Sequence, residues 1–197
     1  MNRRHALAAF AAASLLAACS RESKPQFNAV DLSGAEYGKD FHLPDADGRM
    51  RSMADFKGKL VALFFGYTQC PDACPTTLAD LAQAKKLLGP QGDKLQVVFI
   101  TVDPDRDTPQ VLKSYMANFD PTFIALRPST EQLAQVAKDF KVYYKKAEGD
   151  DPKHYTMDHT AATYIFDTQG QLRLYARYGS GAQPLADDFR KLLDSAA

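Results

Sequence analysis

Tryptophan is absent from the 197-residue chain, so the aromatic area of any core must come from twelve phenylalanines and nine tyrosines. Charge of one sign is lacking as well. Twenty-four basic residues balance twenty-four acidic ones, and the basic residues are interleaved with acids. That balance offers no electrostatic footprint for nucleic acid. Cysteine is scarce, at three, and histidine numbers four. Three cysteines are too few for a closed Cys₄ zinc set or a disulfide framework, and no Cys₂His₂ zinc spacing is present. No apolar run reaches the length of a membrane span. Hydrophobic content of 45% over this length is ordinary for one soluble domain with a core of its own.

The longest uncharged apolar run, Ala6–Ala18, follows Arg3 and Arg4 and has the proportions of a secretory signal. It ends in Leu16-Ala17-Ala18-Cys19, which resembles the bacterial lipoprotein signal. That resemblance implies lipid on Cys19, with residues 1–18 removed. Cleavage nearby that leaves Cys19 spare is the plainer alternative, and the Arg pair fits a twin-arginine signal only in part. Ser20 stands where an inner-membrane retention signal would have Asp, so either membrane remains open. Export places the two other cysteines in an oxidising compartment. The expected organisation is a signal over 1–18, a lipid-anchored tether over 19–37 and one domain over 38–197.

Within the domain, short apolar stretches around Leu43 and Met50 flank Pro44-Asp45-Ala46-Asp47-Gly48 and predict a hairpin. Leu60–Phe65 is continuously apolar, as expected of a central strand covered on both faces. A helix should run from Pro75 to about Leu88, followed by a strand over 94–102. Thr108-Pro109 starts a second helix, with Leu112, Tyr115, Met116 and Phe119 along one side. A short strand over 123–126 follows, and Ser129 to Gln132 offers a capping box for a third helix. Short strands are expected at 142–146 and 155–157, with a polar surface loop from Ala147 to Lys153 between them. Ala161–Phe166 and Gln171–Tyr178 form a hairpin, and a last helix opens at Pro184. The result is an α/β, thioredoxin-like fold, a central mixed sheet flanked by helices with an N-terminal β-hairpin extension. Reactive groups in such sheets sit at the carboxyl ends of strands.

Cys70 and Cys74 lie there, between the strand ending at Phe65 and the helix after Pro75. Fully extended, the four steps between them would span about 13 Å. A disulfide needs its Cα atoms within about 7 Å, so the segment must bend. The following helix points its free N–H groups at the loop and favours thiolate over thiol. A thiolate is both a nucleophile and a soft metal ligand. The pair therefore suits either thiol–disulfide exchange or metal binding. The bland readings are a stabilising disulfide, which would close too small a loop to contribute much, or two unrelated buried cysteines. Two thiolates with one imidazole suit copper, thiolate favouring Cu(I) and imidazole tolerating Cu(II). His5 leaves with the signal, His42 falls on the first hairpin and His154 in the polar loop. His159, before the strand Ala161–Phe166, is the best-placed candidate. A lone histidine there is nevertheless commonly a surface residue.

Three segments carry a family resemblance. Phe65-Gly66-Tyr67-Thr68-Gln69-Cys70-Pro71-Asp72-Ala73-Cys74-Pro75 resembles the Sco/SenC signature FGYTxCPDVCP. Val102-Asp103-Pro104-Asp105-Arg106-Asp107-Thr108-Pro109 resembles its VDPxRDTP motif. Tyr155-Thr156-Met157-Asp158-His159-Thr160, with Tyr164 and Asp167–Gly170, resembles a third, YxVDHxxxxYLxDxxG. Ala73 and Met157 replace valines of that pattern, and both are apolar. The resemblance implies a thioredoxin-like fold and a copper site of Cys70, Cys74 and His159. It implies delivery of copper to the binuclear copper centre of cytochrome c oxidase, or reduction of that centre's cysteines with Cys70 and Cys74 as the redox pair. The implied partners are the oxidase's copper-bearing subunit and another periplasmic copper chaperone or thioredoxin-like reductant. The expected place is the bacterial cell envelope, facing the periplasm and held to the membrane through Cys19. Asp72 is read either as tuning the thiolates or as forming the turn, and Asp103 with Arg106 as an ion pair that fixes the neighbouring loop.

Overall fold

The structure is a computed structural model that describes residues 25–147 and 155–195. Its elements are β1 (Val30–Asp31), β2 (Leu43–Pro44), β3 (Met50–Arg51), β4 (Leu60–Gly66), α1 (Ala73–Leu87), β5 (Leu95–Thr101) and α2 (Pro109–Ala117). They continue with β6 (Ile124–Leu126), α3 (Thr130–Asp139), β7 (Tyr144–Ala147), β8 (Thr156–His159), β9 (Ala162–Phe166), β10 (Leu172–Arg177) and α4 (Ala182–Asp194). Six strands form a mixed sheet in the order β1-β10-β9-β4-β5-β6. β4, β5 and β6 are parallel, whereas β9 and β10 run antiparallel.

Every residue of β4 and β5 is buried, as continuous apolar runs require when both faces are covered. Successive side chains alternate between the faces. Phe64 meets Phe99, which meets Tyr115 of α2 on one face. Phe65 on the other face meets Phe140 after α3, together with Tyr164 of β9. α1 and α4 pack against each other. Thr108 and Ser129 cap α2 and α3, the latter through the expected capping box. β2 and β3 make the expected hairpin, closed by buried Asp45, which accepts the Asp47 and Arg49 amides and the Arg51 side chain.

Three expectations change. α1 begins at Ala73, which makes Pro75 its third residue and not its first. The first four N–H groups of a helix have no partner inside it, so proline costs no bond there. His159 does not lead into β9. It ends β8, which pairs with β7 in a separate two-stranded sheet, Tyr144 opposite His159. The third change concerns the expected tether. From Phe27 to Tyr37 several of its apolar side chains pack on the core, and β1 pairs with β10. β10 would otherwise offer an open sheet edge. Asp188 of α4, buried, accepts the Asn28 and Ala29 amides at 2.9 and 2.8 Å and so pins this segment. Cys19 and the signal, and the loop residues 148–154 with His154, lie outside the described residues.

Asp188→Ala should strand two amides and free the segment around β1. The expected loss is about 2 kcal/mol in urea unfolding, together with new proteolytic cleavage between residues 25 and 37.

Candidate metal centre

The end of β4 decides where the first sulfur goes. Gly66 closes the strand, and Cys74 in the first turn of α1 folds back over it. A Cβ on residue 66 would stand 2.9 Å from Cys74 Sγ and 2.8 Å from both the Phe64 and Phe99 rings. Position 66 must therefore be bare for the thiol to be buried, and Cys74 is fully buried. Cys70 sits in the loop before the helix, half-buried. The Cys74 amide, one of the free N–H groups of the helix start, donates to Cys70 Sγ at 3.4 Å. Both cysteines are free thiols, so the plain-disulfide reading does not describe this state.

His159 comes from the opposite side. Its Nε2 lies 3.5 Å from Cys74 Sγ, and its Nδ1 lies 3.2 Å from the Thr160 carbonyl. A carbonyl only accepts, so that contact puts the proton on Nδ1 and leaves the Nε2 lone pair facing the sulfurs. Edge contacts with Phe64 and Tyr67, at 6.1 and 5.8 Å between centroids, hold the ring. The donor atoms of Cys70, Cys74 and His159 all lie within 4.8 Å of one another. Among the described residues no other group of three metal-binding side chains converges this way.

The two thiols share their protons unequally. The Cys74 thiol beside Cys70 lowers the Cys70 pKa to about 3, with help from His159 and from the Asp72 and Cys74 amides. The Cys74 pKa is pushed up by the same partnership and by burial. The reduced centre is thus a thiolate at Cys70 and a thiol at Cys74.

Loops around the centre are tied by buried acids. Asp107 accepts the Thr68 amide and hydroxyl, the latter at 2.6 Å, and the Thr101 hydroxyl at 2.5 Å. It joins the cysteine loop to the end of β5, and burial raises its pKa. Asp103, also buried, pairs with Arg106 and accepts the Tyr155 hydroxyl at 2.8 Å. The ion pair was expected, whereas the tyrosine was not. Asp72 occupies the N-cap position without a side-chain cap bond, and its carboxylate accepts from the Tyr178 hydroxyl at 3.1 Å. Its link to Cys70 is through the main chain. Tyr67, Asp107 and Tyr155 were missed as contributors, although all three fall inside the motif segments. No periodicity or spacing distinguishes them there.

Comparison with known proteins agrees with this geometry. Residues 30–194 match the SCO1/SenC family model. A SCO2-like protein of Rickettsia felis is 38% identical over 160 residues, which is 80% of this chain and 78% of that one. The structure of Bradyrhizobium japonicum ScoI with copper bound aligns at 37% identity and a TM-score of 0.72, covering 80% of this chain and 99% of the other. Apo Sco1 of Thermus thermophilus aligns at 36% identity and a TM-score of 0.76, covering 85% and 98%.

A folded pKa below the ordinary thiol value means that the Cys70 thiolate stabilises the fold above that value. The contribution shrinks as pH falls toward 3. Alkylation of reduced protein by iodoacetamide should accordingly stay fast at Cys70 down to pH 5, where an ordinary thiol is only about 0.03% ionised. Cys74 should stay unmodified in the native state. A Cys70 rate that falls tenfold per pH unit below 8 would contradict the assignment.

Proposed function

Because the chain belongs to the SCO1/SenC family, we propose that it handles copper as cargo and loads the binuclear copper centre of cytochrome c oxidase. The observation that carries this reading is the convergence of two sulfurs and one imidazole nitrogen within 4.8 Å. Soft thiolates favour Cu(I), and the imidazole extends the set to Cu(II). The residues already hold the protonation states that binding needs. Cys70 is ionised, and His159 presents a lone pair at Nε2. Only the Cys74 proton has to leave. Cys70 is the more accessible of the two cysteines, so cysteines of an acceptor would meet it first and exchange with it. The acceptor is the oxidase's copper-bearing subunit, and the source is another copper chaperone of the envelope.

The thiolate at Cys70 also favours a second reading, a thiol–disulfide reductase. Cys70 would attack one sulfur of a target disulfide and displace the other as a thiolate. Cys74 would then attack Cys70, forming the Cys70–Cys74 disulfide and releasing the target's second sulfur. The target gains two electrons and two protons, one of them from Cys74 and one from solvent. A thioredoxin-like dithiol would restore the pair. The same geometry serves both readings, and the imidazole is a ligand only in the first, while in both it favours the Cys70 thiolate.

The two readings separate in one titration. Reduced protein should take up one copper, and His159→Ala should weaken Cu(I) by about tenfold or more in competition with a chelator, with larger losses for Cu(II). Equal affinities in wild type and His159→Ala, for both copper states, would remove histidine from the site. Wild type that ignores copper yet rapidly reduces the disulfide of an oxidase copper domain would establish the reductase.

The setting proposed is the periplasmic side of the cell envelope, with a lipid on Cys19 as the anchor. No helix among the described residues is long and apolar enough to cross a membrane. Labelled palmitate should enter the wild-type protein in bacterial cells and be absent from Cys19→Ala. Equal labelling of both would refute the anchor.

A further inference from the structure

The histidine stands on the least anchored piece of the centre. Cys70 and Cys74 follow directly from β4, in the middle of the six-stranded sheet. His159 stands on β8, and no ladder joins the β7–β8 pair to that sheet. At the β9 end the pair is held by the chain itself, and its own ladder runs one step further, the Thr160 amide donating to the Tyr143 carbonyl at 2.9 Å. Met157 and Tyr144 give it partial apolar packing.

The opposite end of β8 is tied through Tyr155, and Met157 further along bonds the Tyr67 hydroxyl through its main chain. The Arg106 guanidinium carbon stacks 3.5 Å from the centre of the Tyr155 ring, and its Nη1 donates to the Tyr155 carbonyl at 2.8 Å. The same Nη1 donates to Gln69 Oε1 at 3.1 Å, one residue before Cys70. Nε pairs with Asp103, whose other oxygen accepts the Tyr155 hydroxyl. Asp103 thus fixes both members of the stack. Tyr67, which makes an edge contact with His159, lies 5.8 Å from the guanidinium carbon. The Arg106 side chain is only 14% exposed and that of Asp103 4%, so their pairing is shielded from water. Its polar partners are Asp103, Gln69 and Tyr155, and none is a donor of the metal centre.

We infer that Arg106, oriented by Asp103, is a positioning residue that latches β8 through Tyr155 and so fixes His159 over the two cysteines. A planar guanidinium meets this demand because it stacks, forks and stays charged at once, which a lysine does not. The inference rests on the copper reading for its consequence but not for its geometry.

A double-mutant cycle tests it on the full-length chain. Arg106→Met keeps the stem and removes the fork. With His159 present it should weaken Cu(I) about tenfold, within the range found for residues that orient ligands. In the His159→Ala background it should weaken Cu(I) less than about twofold. In reduced, metal-free protein it should speed amide exchange over Thr156–His159 at least tenfold relative to β9, and remove the nuclear Overhauser contact between the His159 and Tyr67 rings. Tyr155→Phe, which loses only the Asp103 bond, should lie between wild type and Arg106→Met. Equal copper losses in the two backgrounds, or unchanged β8 exchange and ring contact, would overturn the latch. Should Arg106→Met fail to fold, Arg106→Lys and Tyr155→Phe carry the same cycle with the same decisions. If wild type binds no copper, the function proposed above falls, and exchange and ring contact in the metal-free protein still decide the latch.

Discussion

Cys74 rests its sulfur where a side chain on residue 66 would be, and the centre is arranged around that contact. The glycine ends the most buried strand of the sheet, and the thiol, the Phe64 ring and the Phe99 ring close around the space that a Cβ there would fill. The Cys70 sulfur beside it, together with burial, makes Cys74 a poor acid. Cys70 becomes the thiolate as a consequence, with the first free amides of α1 turned toward it. An ordinary helix start and an ordinary core thus give two cysteines of the same chain opposite character. The half-buried one is ionised, and the fully buried one is protonated.

Buried carboxylates supply the remaining order. Asp45, Asp103, Asp107 and Asp188 each collect donors from a different stretch of chain. A buried acid is costly unless its oxygens are occupied, and here each set of partners includes chain outside the six-stranded sheet. Asp107 joins the cysteine loop to β5, Asp103 serves Arg106 and Tyr155, and Asp188 secures the segment before the sheet. The loop and helix start that follow a buried strand carry the cysteines, and acid-centred ties carry what must meet them.

Much of this was legible beforehand, for reasons that differ by element. Leu60–Phe65 and Val97–Ile100 announce doubly covered strands because burial on both faces leaves no polar positions. Thr108-Pro109 and Ser129–Gln132 announce helix starts because capping is local chemistry. β1 was not legible. Two residues pairing with a sheet edge leave no period, and the segment around them reads as polar tether. The placement of His159 was wrong by one strand, since a histidine between two short β segments belongs equally well to either. Asp188 sits on a helix whose spacing marks only its apolar side, so its buried position gave no signal.

The amino-acid sequence alone determined the α/β fold, the junction where Cys70 and Cys74 stand, and the motif segments that mark the Sco/SenC family. These are local or periodic properties, written in neighbouring residues. Tertiary structure alone decided that His159 reaches Cys74 from a separate hairpin, that the two thiols divide their charge, and that Arg106 spans the cysteine loop and β8. Each of these depends on residues far apart in the chain coming within a few ångströms, and no spacing along the chain encodes that distance.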